Sequence, residues 1–312
     1  MRKKSKIIYP KKNSFKFIYK NLIVFGVFLL FNLAMFILGT YSSSAKLSQS
    51  SAFFTSPPIP IIKSKFPPIL STQNFIVIDS ATNTILLGNK INDRIYPAST
   101  TKLATALTAL NLYPLDEVIT TTPYTEGKVM ELKQDEKVTV KTLVTALLVY
   151  SANDAAFNLA NHYQTGTSGF IKQMNSLVKK YNLHNTNFTN YDGIHNIDHY
   201  STVYDLSQLA RLAITMPFIV ETAQKKEVVL FDLSGQYRYI LSSTNELLGV
   251  VPEIEGLKTG WTPEASGCFI GAININGHKL VTVVAQSADR FADTKKLIDW
   301  SKDNISWQYK QN

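Results

Sequence analysis

The chain has one cysteine, Cys268, so no disulfide can close within it. Acidic residues are absent from residues 1–70, the first being Asp79. That stretch holds eleven of the 32 Lys and Arg, leaving 21 basic against 23 acidic residues in the remainder. The net charge of +9 therefore belongs to the N-terminal segment. The near-neutral remainder excludes the broad basic face of a nucleic-acid-binding domain. No internal repeat is evident. What is present is length: 312 residues hold one large or two ordinary domains with a substantial core.

The run Asn21 to Ala45 carries no charge, and Leu22 to Leu38 is apolar apart from Asn32. Extended through Tyr41, it reaches the roughly 20 residues that span a bilayer. Eight Lys and Arg precede it, which places residues 1–20 in the cytoplasm and the rest outside. Ser43-Ser44-Ala45 would serve as a cleavage site, but the apolar run is longer than an ordinary signal core. An uncleaved anchor over 21–41 is the expectation. Residues 42–72, rich in Ser and then Pro, read as a linker, and 73–312 as the folded domain.

Within that domain, Phe75 to Asp79 and Ile85 to Leu87 flank Ser80-Ala81-Thr82-Asn83-Thr84, a hairpin signal. Helical stripes dominate from Ser99 to about Thr215. One helix is expected to start at Thr202, with Asp205 completing a capping pair. Strand patterns return after Glu227, and Asn276-Gly277 marks a tight hairpin between Cys268–Ile275 and Lys279–Ala285. Asp293 to Ser301 reads as a closing helix. Strands at both ends enclosing a helical middle predict an α/β (α+β) fold, with one antiparallel sheet joining the N-terminal hairpin to the C-terminal strands.

Three stretches carry chemistry. Tyr96-Pro97-Ala98-Ser99-Thr100-Thr101-Lys102 sets a hydroxyl and an amine three residues apart at a helix start, on one helix face. Ser-x-x-Lys occurs twice more, at Ser43/Lys46 and Ser176/Lys179, so the motif alone is weak. Ser151-Ala152-Asn153 follows a helix, and Lys258-Thr259-Gly260 precedes the C-terminal hairpin. The specific signal is the three together, in this order and these settings.

On these residues the chain resembles the low-molecular-mass penicillin-binding proteins, the serine D-Ala-D-Ala carboxypeptidases of peptidase family S11. The resemblance covers about Asn74 to Trp300, including His199-Tyr200-Ser201-Thr202 and Gly256-Leu257-Lys258-Thr259-Gly260-Trp261-Thr262. It implies a β-lactamase/DD-peptidase-like fold with a mostly helical inserted subdomain. It also implies hydrolysis of peptidoglycan stem peptides, covalent inhibition by β-lactams, and no metal or other cofactor. Ser99 would be the nucleophile, Lys102 its base, and Ser151 a proton relay. Asn153 would bind the substrate amide, and Lys258 and Thr259 its carboxylate. The amides of Ser99 and Trp261 would form the oxyanion hole. Arg290 would lie near the carboxylate, and Gly260 would let the substrate backbone approach. A neutral Lys102 beside a charged Lys258 is expected, since burial near a second cation lowers a lysine pKa.

Trimming of terminal D-Ala and cleavage of cross-bridges as an endopeptidase both remain open at this point. A serine β-lactamase of class A would need a Glu-x-x-Leu-Asn segment between Asn153 and Lys258, and Asn245-Glu246-Leu247-Leu248 has the wrong order. Asp192, His195, Asp198 and His199 resemble a zinc cluster in spacing, but Gly193 and Asn196 predict a loop. Many family members add a β-rich domain and a C-terminal membrane helix. There is no room for either after Gly260, so the N-terminal run is expected to be the anchor.

Overall fold

The computed structural model describes residues 57–309. The expected anchor and the first part of the linker lie outside these residues. Among the described residues no helix is long and apolar enough to cross a membrane.

The centre is a five-stranded antiparallel sheet in the order β3 (Ile85–Asn89), β2 (Asn74–Asp79), β10 (His278–Ser287), β9 (Ser266–Ile275), β8 (Ile254–Thr262). The N-terminal hairpin thus joins the C-terminal strands, as the pattern predicts. Every residue of β2 is buried, because both faces of the sheet are covered. Strand alternation sends Ile76 and Ile78 into the larger helical core, and Phe75 and Val77 into a second core with Leu297, Ile298 and Trp300. Those last three belong to α7 (Arg290–Asn304), which closes the second face. Asn276 and Gly277 both take positive φ, the geometry of a two-residue hairpin turn.

Between β3 and β8 lies the mostly helical region. It contains α1 (Thr101–Leu112), α2 (Val140–Val149), α3 (Asn153–Asn161), α4 (Gly166–Lys180), α5 (Val203–Ala213) and α6 (Pro217–Ala223). Their apolar stripes, such as Phe170, Met174 and Val178 on α4, pack into the larger core. Two small sheets interrupt the helices: β4 (Val118–Thr120) with β5 (Lys137–Thr139), and β6 (Glu227–Phe231) with β7 (Arg238–Ser242). The strands expected after Glu227 exist, but β6 and β7 pair with each other and not with the main sheet.

Two expectations need correction. Thr202 caps α5 by accepting from the amide of Asp205 at 3.0 Å. The Asp205 carboxylate does not complete the reciprocal half; it accepts from the Asn185 amide and the Thr186 hydroxyl. The second correction is the domain start. Residues 57–72 are not linker but part of the fold. Strand β1 (Ile59–Ile62) pairs antiparallel with β11 (Ile305–Gln308). Ser71 gives its amide and hydroxyl to Asp293, and the Thr72 hydroxyl donates to Ala285 O at 2.5 Å. The prolines hid this, since Pro60 sits in an edge strand that tolerates its missing N–H.

Candidate active site

The helix-start motif folds as a short 3₁₀ turn, Ala98–Thr100, running into α1. Ala98 takes φ +47°, a left-handed conformation unusual for a residue with a side chain. One turn later, Lys102 is completely buried. Its Nζ lies 2.9 Å from Ser99 Oγ and donates to the backbone oxygen of Asp192 at 2.7 Å. Burial drives the Lys102 pKa down to about 8, with the charge of Asp192 opposing the shift. An amine so placed loses its proton far more readily than a surface lysine and can accept one from Ser99.

Two glycines hold this turn from either side. A Cβ on Gly260 would come within 2.9 Å of the Ser99 amide nitrogen and 3.0 Å of that of Thr100. A reason for glycine here is therefore the contact between β8 and the nucleophile's own turn, beside the substrate approach expected from sequence. A Cβ on Gly193, which has φ +86°, would fall 1.9 Å from Ala98 O. Gly193 follows Asp192, so the loop that binds Lys102 is pressed against the residue before Ser99.

Ser151 occupies the bend between α2 and α3 at φ +70°, and it is buried. Asn153 opens α3 and holds a wall loop: its amide donates to Lys128 O at 2.7 Å and its Nδ2 to Glu126 O at 3.0 Å. Asp154 accepts from the amides of Met130 and Leu132, and Asn158 exchanges two bonds with Thr122. The start of α3 thus clamps the loop from Thr122 to Leu132. In the free protein the Asn153 side chain, expected to meet a substrate amide, is tied to this wall.

Strand β8 pairs only with β9 and forms the end of the sheet, so its outer backbone edge is open to an added strand. Lys258 is buried with 1% exposure and donates to Thr259 O at 3.0 Å. Its pKa is pushed well below the ordinary value by burial, then by the charges of Lys102, Lys128 and Arg290. Lys102 has an anionic neighbour in Asp192, whereas Lys258 has the cations Lys102, Lys128 and Arg290 acting on it, so the downward pull expected for Lys102 falls on both lysines. Thr259 Oγ1 lies 2.7 Å from Thr244 Oγ1, and the Thr244 amide donates to Val149 O at the end of α2. Thr244 therefore ties the Lys258 strand to the Ser151 bend. The Trp261 ring is 60% exposed. Arg290 is at the start of α7, against Gly267, the cross-strand partner of Trp261.

Thr244, Tyr124 and Lys128 escaped the sequence reading, and Asp192 and Gly193 were weighed there only for a zinc cluster, not as neighbours of Lys102. Tyr124 OH lies 3.1 Å from carboxylate oxygens of both Asp192 and Glu126. Only the Asp-Gly pair at 192–193, a turn signal, was open to detection. The histidines of the same loop are occupied. His199 Nε2 lies 2.8 Å from Thr101 Oγ1, its Nδ1 accepts from the Thr189 amide, and burial holds its pKa near about 3. His195 meets the ring of Tyr96 edge-on at 4.6 Å.

Comparison with known proteins gives a consistent picture. The family model described as D-alanyl-D-alanine carboxypeptidase, Peptidase_S11, matches residues 62–289. The D-alanyl-D-alanine carboxypeptidase DacF of Bacillus subtilis is 27% identical over 73% of this chain and 61% of its own length. DacD of Salmonella typhimurium is 29% identical over 77% of this chain and 65% of its own. The chain thus spans less than two thirds of these two relatives. The D-alanyl-D-alanine endopeptidase of Escherichia coli is 30% identical over 75% of this chain and 78% of its own. Among solved structures, the Streptomyces K15 DD-transpeptidase superposes with a TM-score of 0.71 at 28% identity, over 75% of this chain and 98% of that one.

Proposed function

The chain belongs to the D-alanyl-D-alanine carboxypeptidase family S11, and from that premise we propose that it removes the terminal D-Ala from peptidoglycan stem pentapeptides through an acyl-enzyme on Ser99. The observation that carries this reading is the 2.9 Å contact between Ser99 Oγ and the buried amine of Lys102. Ser99 Oγ attacks the carbonyl between the two D-alanines, and its proton passes to neutral Lys102. The amides of Ser99 and Trp261 receive the developing oxyanion. The C–N bond breaks, the leaving amine takes a proton by way of Ser151, and the acyl group remains as an ester. Water then adds, the ester C–O bond breaks, and Ser99 regains its proton. The substrate lies along the open edge of β8, with its carboxylate beside Lys258, Thr259 and Arg290. That carboxylate supplies the anion Lys258 lacks and stabilises its charged form. Asn153 exchanges its bond to Glu126 O for one to the substrate amide. A β-lactam acylates the same hydroxyl and leaves slowly.

The E. coli relative named as an endopeptidase keeps cross-bridge cleavage as the second reading. Digestion of purified muropeptides by the full chain in detergent separates the two. Free D-alanine from pentapeptides supports the carboxypeptidase, and separated dimers support the endopeptidase. Neither product would sink both. The cationic flank and apolar run of the sequence support a single-pass anchor over 21–41, with the catalytic domain on the extracytoplasmic side of a bacterial membrane.

A further inference from the structure

The turn from Lys63 to Leu70 fastens its backbone inward and shows its apolar side chains to solvent. The Lys63 amide donates to Asn304 O at 2.8 Å. Trp300 Nε1 donates to Phe66 O at 2.8 Å, and Lys296 Nζ to Ile69 O at 2.9 Å. Three bonds from α7 and its end thus hold the turn, and Pro67-Pro68 stiffens it. Yet Phe66 is 85% exposed and Ile69 90%, the two most exposed large hydrophobic side chains among the described residues. A single exposed apolar residue means little. Here two are displayed together on a braced turn, and the strand leading into it exposes Ile59 and Ile61 as well. Residues 57–72 contain no acid, and Lys63 and Lys65, just before the pair, are exposed.

We propose that this turn is a membrane-surface contact, with Phe66 and Ile69 entering the headgroup layer of an anionic bilayer and Lys63 and Lys65 facing its phosphates. Apolar side chains beside lysines are the combination that binds such an interface. The proposal rests on the anchor reading for its geometry. Residues 42–56 connect the apolar run to the fold, and a segment of that length reaches at most about 50 Å. The turn is therefore held near the bilayer at a high effective concentration. A second copy of the chain is a poorer occupant. A protruding pair of side chains covers far less than the roughly 800 Å² per partner of a stable interface, whereas a fluid lipid surface closes around it. Docking here sets the orientation of the fold, so the β8 edge is presented at a fixed height.

The test uses the full chain in vesicles of phosphatidylethanolamine and phosphatidylglycerol, with a benzophenone amino acid at Phe66, Ile69 or the exposed control Lys141. Irradiation is expected to give phospholipid adducts at 66 and 69, at least tenfold above 141. Lys63→Glu with Lys65→Glu should cut the yield at 66 by about fivefold or more. Equal yields at all three positions, or adducts that mainly join two chains, overturn the contact. Alkaline carbonate extraction of the same vesicles tests the anchor separately. A chain that resists extraction but gives no adduct keeps its anchor and loses the contact. A chain that is extracted but gives the adduct keeps the contact and loses the anchor.

Discussion

Two regions of this fold carry the same Ser-x-x-Lys spacing, and only one has the surroundings for chemistry. At the start of α1, Lys102 is enclosed and its amine meets both Ser99 and Asp192 O. On α4, the Ser176 hydroxyl donates back to Lys172 O at 2.8 Å, and Lys179 is in solvent. Helix geometry is common to both, so it is not what activates a serine. Burial of the amine is, together with a loop and a strand that press on the turn from outside. Gly193 and Gly260 permit that pressure, and α4 has no counterpart.

The contrast is open to attack by mutation. Ser99→Ala should lower turnover by about 10⁶-fold and abolish covalent penicillin labelling, whereas Ser176→Ala should alter neither. Labelling that survives Ser99→Ala would end the assignment. Next in size, Lys102→Arg should cost about 10²–10⁴ in acylation rate, because a guanidinium stays protonated. The same change at Lys179 should leave the rate alone. A pH profile sharpens the point. Acylation needs the unprotonated amine, so its rate should climb about tenfold per pH unit below the Lys102 pKa of about 8 and flatten above it. A flat profile from pH 6 to 9, measured by penicillin acylation under pre-steady-state conditions, would remove Lys102 as the base. Gly260→Ala should cost about 1–3 kcal/mol of stability by overpacking, read from denaturant unfolding. It should also slow acylation, since the added methyl strikes the Ser99 amide. The smallest effect is expected at Ser176→Ala, within about 0.5 kcal/mol.

Legibility followed the range of the interactions. The hairpin at Asn276-Gly277 and the helix start at Thr202 are written in a few adjacent residues, and both are found. So is the meeting of Ser99 with Lys102, which one helical turn permits. What stayed hidden depends on residues far apart in the chain. Nothing near Ile59 announces that its partner strand ends at Gln308. Nothing near Thr244 announces that it bridges Val149 and Thr259. The downward pull on Lys258 was hidden for the same reason: the cations Lys128 and Arg290 reach it only through the fold. The contact of Gly260 with the Ser99 turn was hidden as well, since a strand motif does not say which neighbour lies against its bare face.

The pairing of β1 with β11 has a mechanical side. Tension arriving from residues before Ile59 is borne first by a four-residue ladder and by the clasp of Ser71 on Asp293. The five-stranded sheet that carries Lys258, which the chain enters at Asn74, bears that pull only after these have given way. Under such a pull the first structure to yield would be a peripheral fastening. The catalytic turn would keep its shape while the strap slackens and re-forms, like a fuse placed ahead of the circuit it protects.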